Sequence, residues 1–474
     1  MDLVPLDALG PRGEYRTRKT ELIFDTRNSP VAELSMVPTM FVSRSISTQR
    51  KARPLPFAER EAALTRAADH FLTSTIAGLD FDEYVALTCR VSGLPMAVAR
   101  AGAHAVAEGL ATAFDALRPA RPAGAVLDWR DVAATGGAVW TRRGEVLAVH
   151  APGNAPGVHG AWPQALALGY RIAVRPSRRE PFTAHRVVTA LRHCGFRPTD
   201  ALFLPTDHHG AEELIRAADL AMVYGGQDVA DQHAGDPTVL LNGPGRTKIL
   251  ITAECDWRDH LDVIVESIAG LGGMACVNAT AVLYEGDPEP LADAIAERLA
   301  VLPSLPNTDE AAVLPTTTVA TAHAIAAHLT RAAAKARPIL GADQVVADLL
   351  DGNAVLRPAV HLLREVDVDT INVELPFPCV WVSAWSRSDG LAPLRKSLVV
   401  NAITTDDDLI EDLVHDASIT NVYRGHCPTQ FAAPHVPHEG YLADFLMRNK
   451  GFVHRGQSLP SASTADRNVG FIRT

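Results

Sequence analysis

The stretch GLGGMACVNATAVLYEG (Gly270–Gly286) sets one cysteine, Cys276, on a glycine-rich turn that closes a helical pattern and opens an apolar strand pattern. A thiol on such a turn can be approached closely by a substrate and by backbone N–H donors, and in that setting it becomes a nucleophile. Taken alone, the residue also reads as a small buried apolar side chain, which is what most cysteines are. A second stretch, HAPGNAPG (His150–Gly157), holds Asn154 in a Pro/Gly turn after an apolar strand. A third, RIAVRPSRREP (Arg171–Pro181), places Arg175 and Arg178 just after the next strand, where a basic turn is either solvated or holds an anion. Asn154 alone reads as an Asx turn bonding its own backbone.

The elements that position these residues alternate. The apolar runs VLAVHA, RIAVR, ALFLP, LAMVY and TVLLN are separated by helical stretches such as PFTAHRVVTALRHCG and GAEELIRAAD. Apolar strands alternating with helices imply parallel pairing in a sheet covered on both faces, with ligands at the strand ends. A second α/β stretch follows, with KILITAE, WRDHLDVIVESIAG, ATAVLYEG, CVWVSA and SLVVNAI. Ahead of the first, FAEREAALTRAADHFL lines up Leu64, Ala67, Ala68 and Phe71 on one helical face. Residues 1–53 carry little periodicity and are expected to wrap over the surface, and the tail GQSLPSASTADRNVG is expected to be loosely ordered.

Composition sets the outer limits. The 474 residues suffice for two or three domains, and 47% hydrophobic with 21% charged residues is ordinary for a soluble enzyme. A net charge of −11 argues against a nucleic-acid partner. Six scattered cysteines without a CxxC pair, no apolar run of transmembrane length and no signal-peptide pattern lead to the expectation of a cytoplasmic chain with reduced thiols. His426, Cys427, His435 and His438 in HCPTQFAAPHVPH fit no zinc-ligand spacing, so no metal is expected. No GxGxxG fingerprint is present either.

Read together, these segments resemble the aldehyde dehydrogenase superfamily. Asn154 in APGNAPG resembles its oxyanion asparagine, and GLGGMAC resembles its nucleophile segment, a Gly followed three positions later by the cysteine. ELPFP, with Glu374 four residues before Pro378, resembles its Glu-x-x-x-Pro ribose motif, with a different order between. VYGGQDVA resembles its turn beneath the nicotinamide coenzyme: Gly225 matches the glycine, and Gly226 and Val229 stand beside it. Order and spacing of the four agree across roughly residues 60–450. HAPGNAPG and GPGRTK (Gly243–Lys248) look most like the fatty-acyl-CoA reductases of the bacterial luminescence system.

The resemblance implies an α/β, aldehyde dehydrogenase-like fold. Residues 1–243 would form an N-terminal helical segment and a Rossmann-like coenzyme domain, and 244–449 the α/β catalytic domain. Residues 125–146 with 450–474 would form an oligomerisation arm in a homodimer or homotetramer. Asn154 and the Cys276 N–H would hold the oxyanion that forms when the thiol attacks a carbonyl, one such donor being worth about 3 kcal/mol of barrier. The superfamily has a Lys after the second strand and, three residues on, often a Glu that binds the adenosine ribose. Arg175 and Arg178 at those positions suit a 2′-phosphate, which favours NADPH over NADH. Many aldehyde-oxidising members carry a glutamate, ahead of a Gly-Gly-Lys turn, that activates water; TVLLNGPGRTKIL has Leu241 and Asn242 there. Unless another carboxylate such as Glu254 or Glu266 serves, water attacks the acyl-enzyme slowly. The expected activity is NADPH-dependent reduction of an acyl thioester, presented by CoA or an acyl-carrier protein, to an aldehyde. The alternatives are an oxidative aldehyde dehydrogenase, an acyl-phosphate reductase and a non-catalytic member of the fold.

Overall fold

The computed structural model describes residues 3–133 and 137–453. The tail stretch GQSLPSASTADRNVG and most of the C-terminal half of the expected arm lie outside them.

Five strands carry the first sheet: Val146–His150 (β1), Arg171–Arg175 (β2), Ala201–Phe203 (β3), Leu220–Tyr224 (β4) and Val239–Asn242 (β5). They are parallel in the order β5-β4-β1-β2-β3, so the chain reverses its winding direction beside β1. Their near-continuous apolar runs follow from burial on both faces. On one face Leu147, Val149, Ile172 and Val174 pack with Leu64 and Phe71 of the helix Phe57–Thr73. On the other, Val146 and Ala148 pack with Val42 and Ile46 of the helix Thr39–Lys51 and Leu214 of the helix His208–Ala217.

The N-terminus corrects one expectation. Residues 1–53 are not a surface wrap: Ala8–Gly10 pairs antiparallel with β3, Leu9 opposite Phe203, and Gly13–Tyr15 extends that edge. Strands of three residues are too short to leave a period in the sequence, and their pairing is decided by the sheet they join.

The second sheet uses Thr247–Ile251 (β6), Ala279–Tyr284 (β7), Ala359–Leu363 (β8), Cys379–Ala384 (β9), Ser397–Ile403 (β10) and Ile419–Arg424 (β11). The order is β8-β9-β7-β6-β10-β11, all parallel, with Arg337–Leu340 antiparallel on the β8 edge. Trp381 at its centre is fully buried, and its indole N–H donates to Val373 O at 3.0 Å, so the ring packs without an orphaned donor. A third, small sheet joins Ala125–Val126, Gly137–Arg142 and Met447–Phe452. Gly137–Arg142 and β1, adjacent in sequence, therefore belong to different sheets.

The chain passes from β5 to β6 through only Gly243–Arg246. The carboxyl ends of the first sheet thus face the amino ends of the second, and a cleft opens between them at the switch point of the first sheet. Among the described residues no helix is long and apolar enough to cross a membrane.

Candidate active site

The cleft has a volume of about 800 Å³, within the range of small-molecule and cofactor sites. Its walls are the segments that follow β1, β2, β4 and β5 and those that precede β6, β7 and β9. Asn154, Arg175, Arg178, Gly225, Gly226, Cys276 and Glu374 all line it. Val229 does not: its side chain packs against Gly225, supporting the turn from beneath.

Cys276 is held by its neighbours in sequence. The helix Leu261–Ala269 ends in a turn over Gly270–Gly273 where Leu271 takes φ 55° and Gly272 and Gly273 follow at 72° and 65°. A side chain at Gly273 would meet Pro378 N at 2.4 Å, so the turn is seated directly on the ELPFP segment. Asn278 staples the other side: its Oδ1 accepts from Ala275 N at 2.9 Å while its Nδ2 donates to Ser267 O and Gly270 O at 3.1 and 2.7 Å. The Cys276 carbonyl accepts from Thr247 Oγ1 at 3.0 Å, which ties the loop to β6. Left-handed φ at Leu271 costs of order 1–3 kcal/mol, and these contacts hold it in place.

Asn154 reaches the same loop, its Nδ2 donating to Met274 O at 3.3 Å. The bond runs to the Cys276 turn, 120 residues away, and not to its own backbone, so the Asx-turn reading of Asn154 gives way. Glu374 turns its Oε1 to Arg246 N at 2.8 Å, and burial raises its pKa above the carboxylate norm. Lys248, fully buried on β6, donates to Arg246 O and Ser397 Oγ, both at 2.8 Å, and burial pushes it down to about 7. The GPGRTK stretch is thereby fixed from both sides.

Beyond β2 the cleft is basic. Arg175, Arg178 and Arg179 line it together with Ser177. Burial lowers the pKa of Arg175, with Arg178 adding to it, and burial lowers that of Arg179. Arg178 Nε lies 3.1 Å from Glu21 Oε2, both side chains partly exposed, and such a pair is worth at most about 1 kcal/mol. Arg175 Nε and Asn242 Nδ2 are buried donors with no partner among the described residues. Orphaned donors beside a guanidinium cluster suit an anionic, hydrogen-bonding ligand. With the open surface at Gly226, this part of the cleft fits a nicotinamide dinucleotide.

Two residues of the site carry no sequence signal as a pair with Cys276. His438 Nε2 stands 3.8 Å from Cys276 Sγ, and its Nδ1 makes a short contact with Glu439 Oε2. Burial alone would lower the imidazole pKa; the bonds to Cys276 and Glu439 outweigh it and raise it to about 10. Tyr224, at the end of β4, feels the charges of both Glu439 and Cys276, and burial holds its phenol well above the usual value. His426 instead neighbours His260, and Cys427 Sγ faces Pro428 O. Among the described residues no group of three or more His, Cys, Asp or Glu is placed to hold a metal ion. Of the other carboxylates considered for water activation, Glu254 bonds Thr252 and Thr404, and Glu266 bonds Gln430; neither lines the cleft.

Two parallel sheets sharing one cleft, with a thiol on one side and a basic pocket on the other, define an α/β enzyme of the coenzyme-dependent kind. The family model described as the aldehyde dehydrogenase family matches residues 27–389, and the chain belongs to that family of NAD(P)-dependent oxidoreductases. No curated protein sequence matches it. Solved structures share the fold. An indole-3-acetaldehyde dehydrogenase in complex with NAD+ is 16% identical, with a TM-score of 0.78 over 94% of this chain and 96% of its own. The gamma-glutamyl-gamma-aminobutyraldehyde dehydrogenase from Burkholderia cenocepacia is 15% identical, with a TM-score of 0.79 over 95% and 97%. An NAD-dependent aldehyde dehydrogenase from Sinorhizobium meliloti is 16% identical, with a TM-score of 0.79 over 98% and 97%.

Proposed function

We propose that the protein reduces an acyl thioester, carried by CoA or an acyl-carrier protein, to the aldehyde through an acyl group held on Cys276. One observation carries this reading. Among the described residues lining the cleft, Glu374 is the one carboxylate, and its Oε1 is engaged by Arg246 N–H. Leu241 and Asn242 stand where the resemblance to the aldehyde dehydrogenases would place a water-activating glutamate. An acyl-cysteine without a carboxylate base beside it reacts with thiols faster than with water.

In this reading Cys276 Sγ attacks the carbonyl carbon, and the Asn154 amide and the Cys276 N–H receive the developing oxyanion. The carrier thiol leaves and Cys276 keeps the acyl group. When bound, the nicotinamide supplies the two electrons as hydride. Asn154 and the Cys276 N–H then hold the oxyanion a second time, and its collapse frees the aldehyde and the thiolate. Glu374 would hold the nicotinamide ribose with the oxygen that Arg246 leaves free, and Arg175 and Arg178 the adenosine 2′-phosphate of NADPH. A homodimer or homotetramer, joined in part by residues 125–146, remains our reading of the assembly.

A second reading, oxidation of an aldehyde to the acid, has support of its own. The fold relatives are named aldehyde dehydrogenases, two of them with NAD. A histidine also stands at the thiol, able in its neutral form to activate water. Assays decide between the two: acyl thioesters with NADPH against aldehyde with NADP+ or NAD+, each with and without CoA. Oxidation that is independent of CoA and yields free acid would establish the second reading.

A further inference from the structure

We propose that His438 is a catalytic acid–base residue for Cys276, held in place by Glu439; the proposal rests on the thioester reading above. The loop from β11 to the helix Leu442–Leu446 returns to the cleft and brings His438 Nε2 within 3.8 Å of Cys276 Sγ. On the far side of the ring Nδ1 faces the Glu439 carboxylate, which can only accept, so Nδ1 carries a proton and Nε2 is left to exchange one with the thiol. A nucleophile, a base and a third group that orients the base are the three parts of an activated-nucleophile site. The loop is anchored. Asn421 Nδ2, from β11, donates to His438 O at 2.5 Å and to Leu398 O at 3.1 Å, and Tyr441 Oη donates to His435 O at 2.6 Å. The second Glu439 oxygen, Oε1, is buried with no partner among the described residues.

The step balances. Cys276 and His438 share one proton, and as Sγ bonds to the thioester carbonyl carbon that proton rests on His438 Nε2. The tetrahedral adduct then breaks its bond to the carrier sulfur, and Nε2 returns the proton to that sulfur, so the carrier departs as a neutral thiol. After two-electron reduction by the nicotinamide, the thiohemiacetal oxyanion expels Cys276 as thiolate and releases the aldehyde. One proton taken from solvent through His438 restores the thiol. The sum is thioester, reduced coenzyme and one proton converted to aldehyde, oxidised coenzyme and thiol.

The test uses the full chain without coenzyme and two thioesters of the same acyl group, an acyl-CoA and an acyl-thionitrobenzoate. Acylation is read by intact mass and by thiol release. An aryl thiol is acidic enough to leave as its anion, whereas the alkyl thiol of CoA needs a proton. His438→Gln is expected to slow acylation by acyl-CoA by about 10²–10⁴-fold, with a smaller loss for the aryl thioester, which still needs the base at Cys276 but not the acid at the leaving sulfur. The groups facing the imidazole are Cys276, Glu439 and, near both of these, Tyr224. Glu439 helps to keep the proton on the ring, so Glu439→Gln is expected to move the alkaline fall of acyl-CoA acylation to lower pH. Equal losses on both thioesters, or an unshifted alkaline limb, would mean that the loop is merely structural. Undiminished acylation of His438→Gln by acyl-CoA overturns the step alone. A wild-type enzyme that no thioester acylates overturns the thioester reading, and this step with it.

Discussion

Gly245 offers a clean perturbation of the Cys276 loop. It lies in the four-residue passage between the two sheets, and its backbone carbonyl accepts from Leu398 N at 2.7 Å. A methyl group built on it would sit 1.9 Å from the Cys276 carbonyl oxygen, 2.6 Å from the carbonyl carbon and 2.7 Å from Cα. Carbon–oxygen contacts settle at about 3.3–3.6 Å, so Gly245→Ala must drive the two backbones at least about 1 Å apart. All three Cys276 atoms in conflict are main chain, and no rotamer relieves them. The overpacking should destabilise the fold by about 1–3 kcal/mol. A reacting atom displaced by about 1 Å costs about a hundredfold in rate. Single-turnover acylation of Gly245→Ala should therefore fall by about two orders of magnitude, while coenzyme affinity, measured by fluorescence titration, stays within a few fold. The loss should also appear in the rate of Cys276 modification by iodoacetamide. Wild-type acylation rates in a variant of unchanged melting temperature would refute the positioning of the cysteine loop described above.

Other substitutions separate the remaining roles. Cys276→Ala should abolish turnover while leaving the fold and coenzyme binding intact, since the thiol is asked to form a bond and not to fill the core; residual full activity would remove it as nucleophile. Asn154→Ala should lower kcat by about 10²–10³-fold with a smaller effect on KM, and an effect confined to KM would reduce its part to shaping the turn. Arg178→Glu would set a second carboxylate beside Glu21 and repel a 2′-phosphate, so the variant should lose any preference for NADPH and keep or gain use of NADH. A wild type that already prefers NADH would contradict the assignment of the basic turn.

Much of the architecture was legible because it is periodic or punctuated. The five apolar runs from VLAVHA to TVLLN became the five parallel strands of the first sheet, since burial on both faces demands such runs. Asn154, Gly225, Cys276 and Glu374, named from short motifs, converge on one cleft because each motif sits at a strand end, where the fold places its ligands. The two N-terminal strands at the β3 edge, Ala8–Gly10 and Gly13–Tyr15, were not legible, as three residues carry no period and their order comes from β3. Nor was the partner of the thiol. His438 lies 162 residues from Cys276, in an irregular Pro- and His-containing loop whose histidines and cysteine fit no zinc-ligand spacing, and it is the fold that brings the two together. Val229 matched the coenzyme turn in sequence and yet packs behind Gly225, because the helix Gln227–Gln232 turns it away from the cleft.

The fate of the acyl-enzyme tests the central claim most directly. Acyl thioester supplied without coenzyme should load the chain, and peptide mass spectrometry should place a stable adduct on the peptide containing Cys276. NADPH should then discharge it as aldehyde and free CoA should discharge it as thioester, with water the slowest of the three acceptors, since water is a far poorer nucleophile than a thiolate and, among the described residues, no free carboxylate base lines the cleft beside it. Rapid loss of the adduct as free acid in buffer alone would contradict the account and make the enzyme an oxidative aldehyde dehydrogenase.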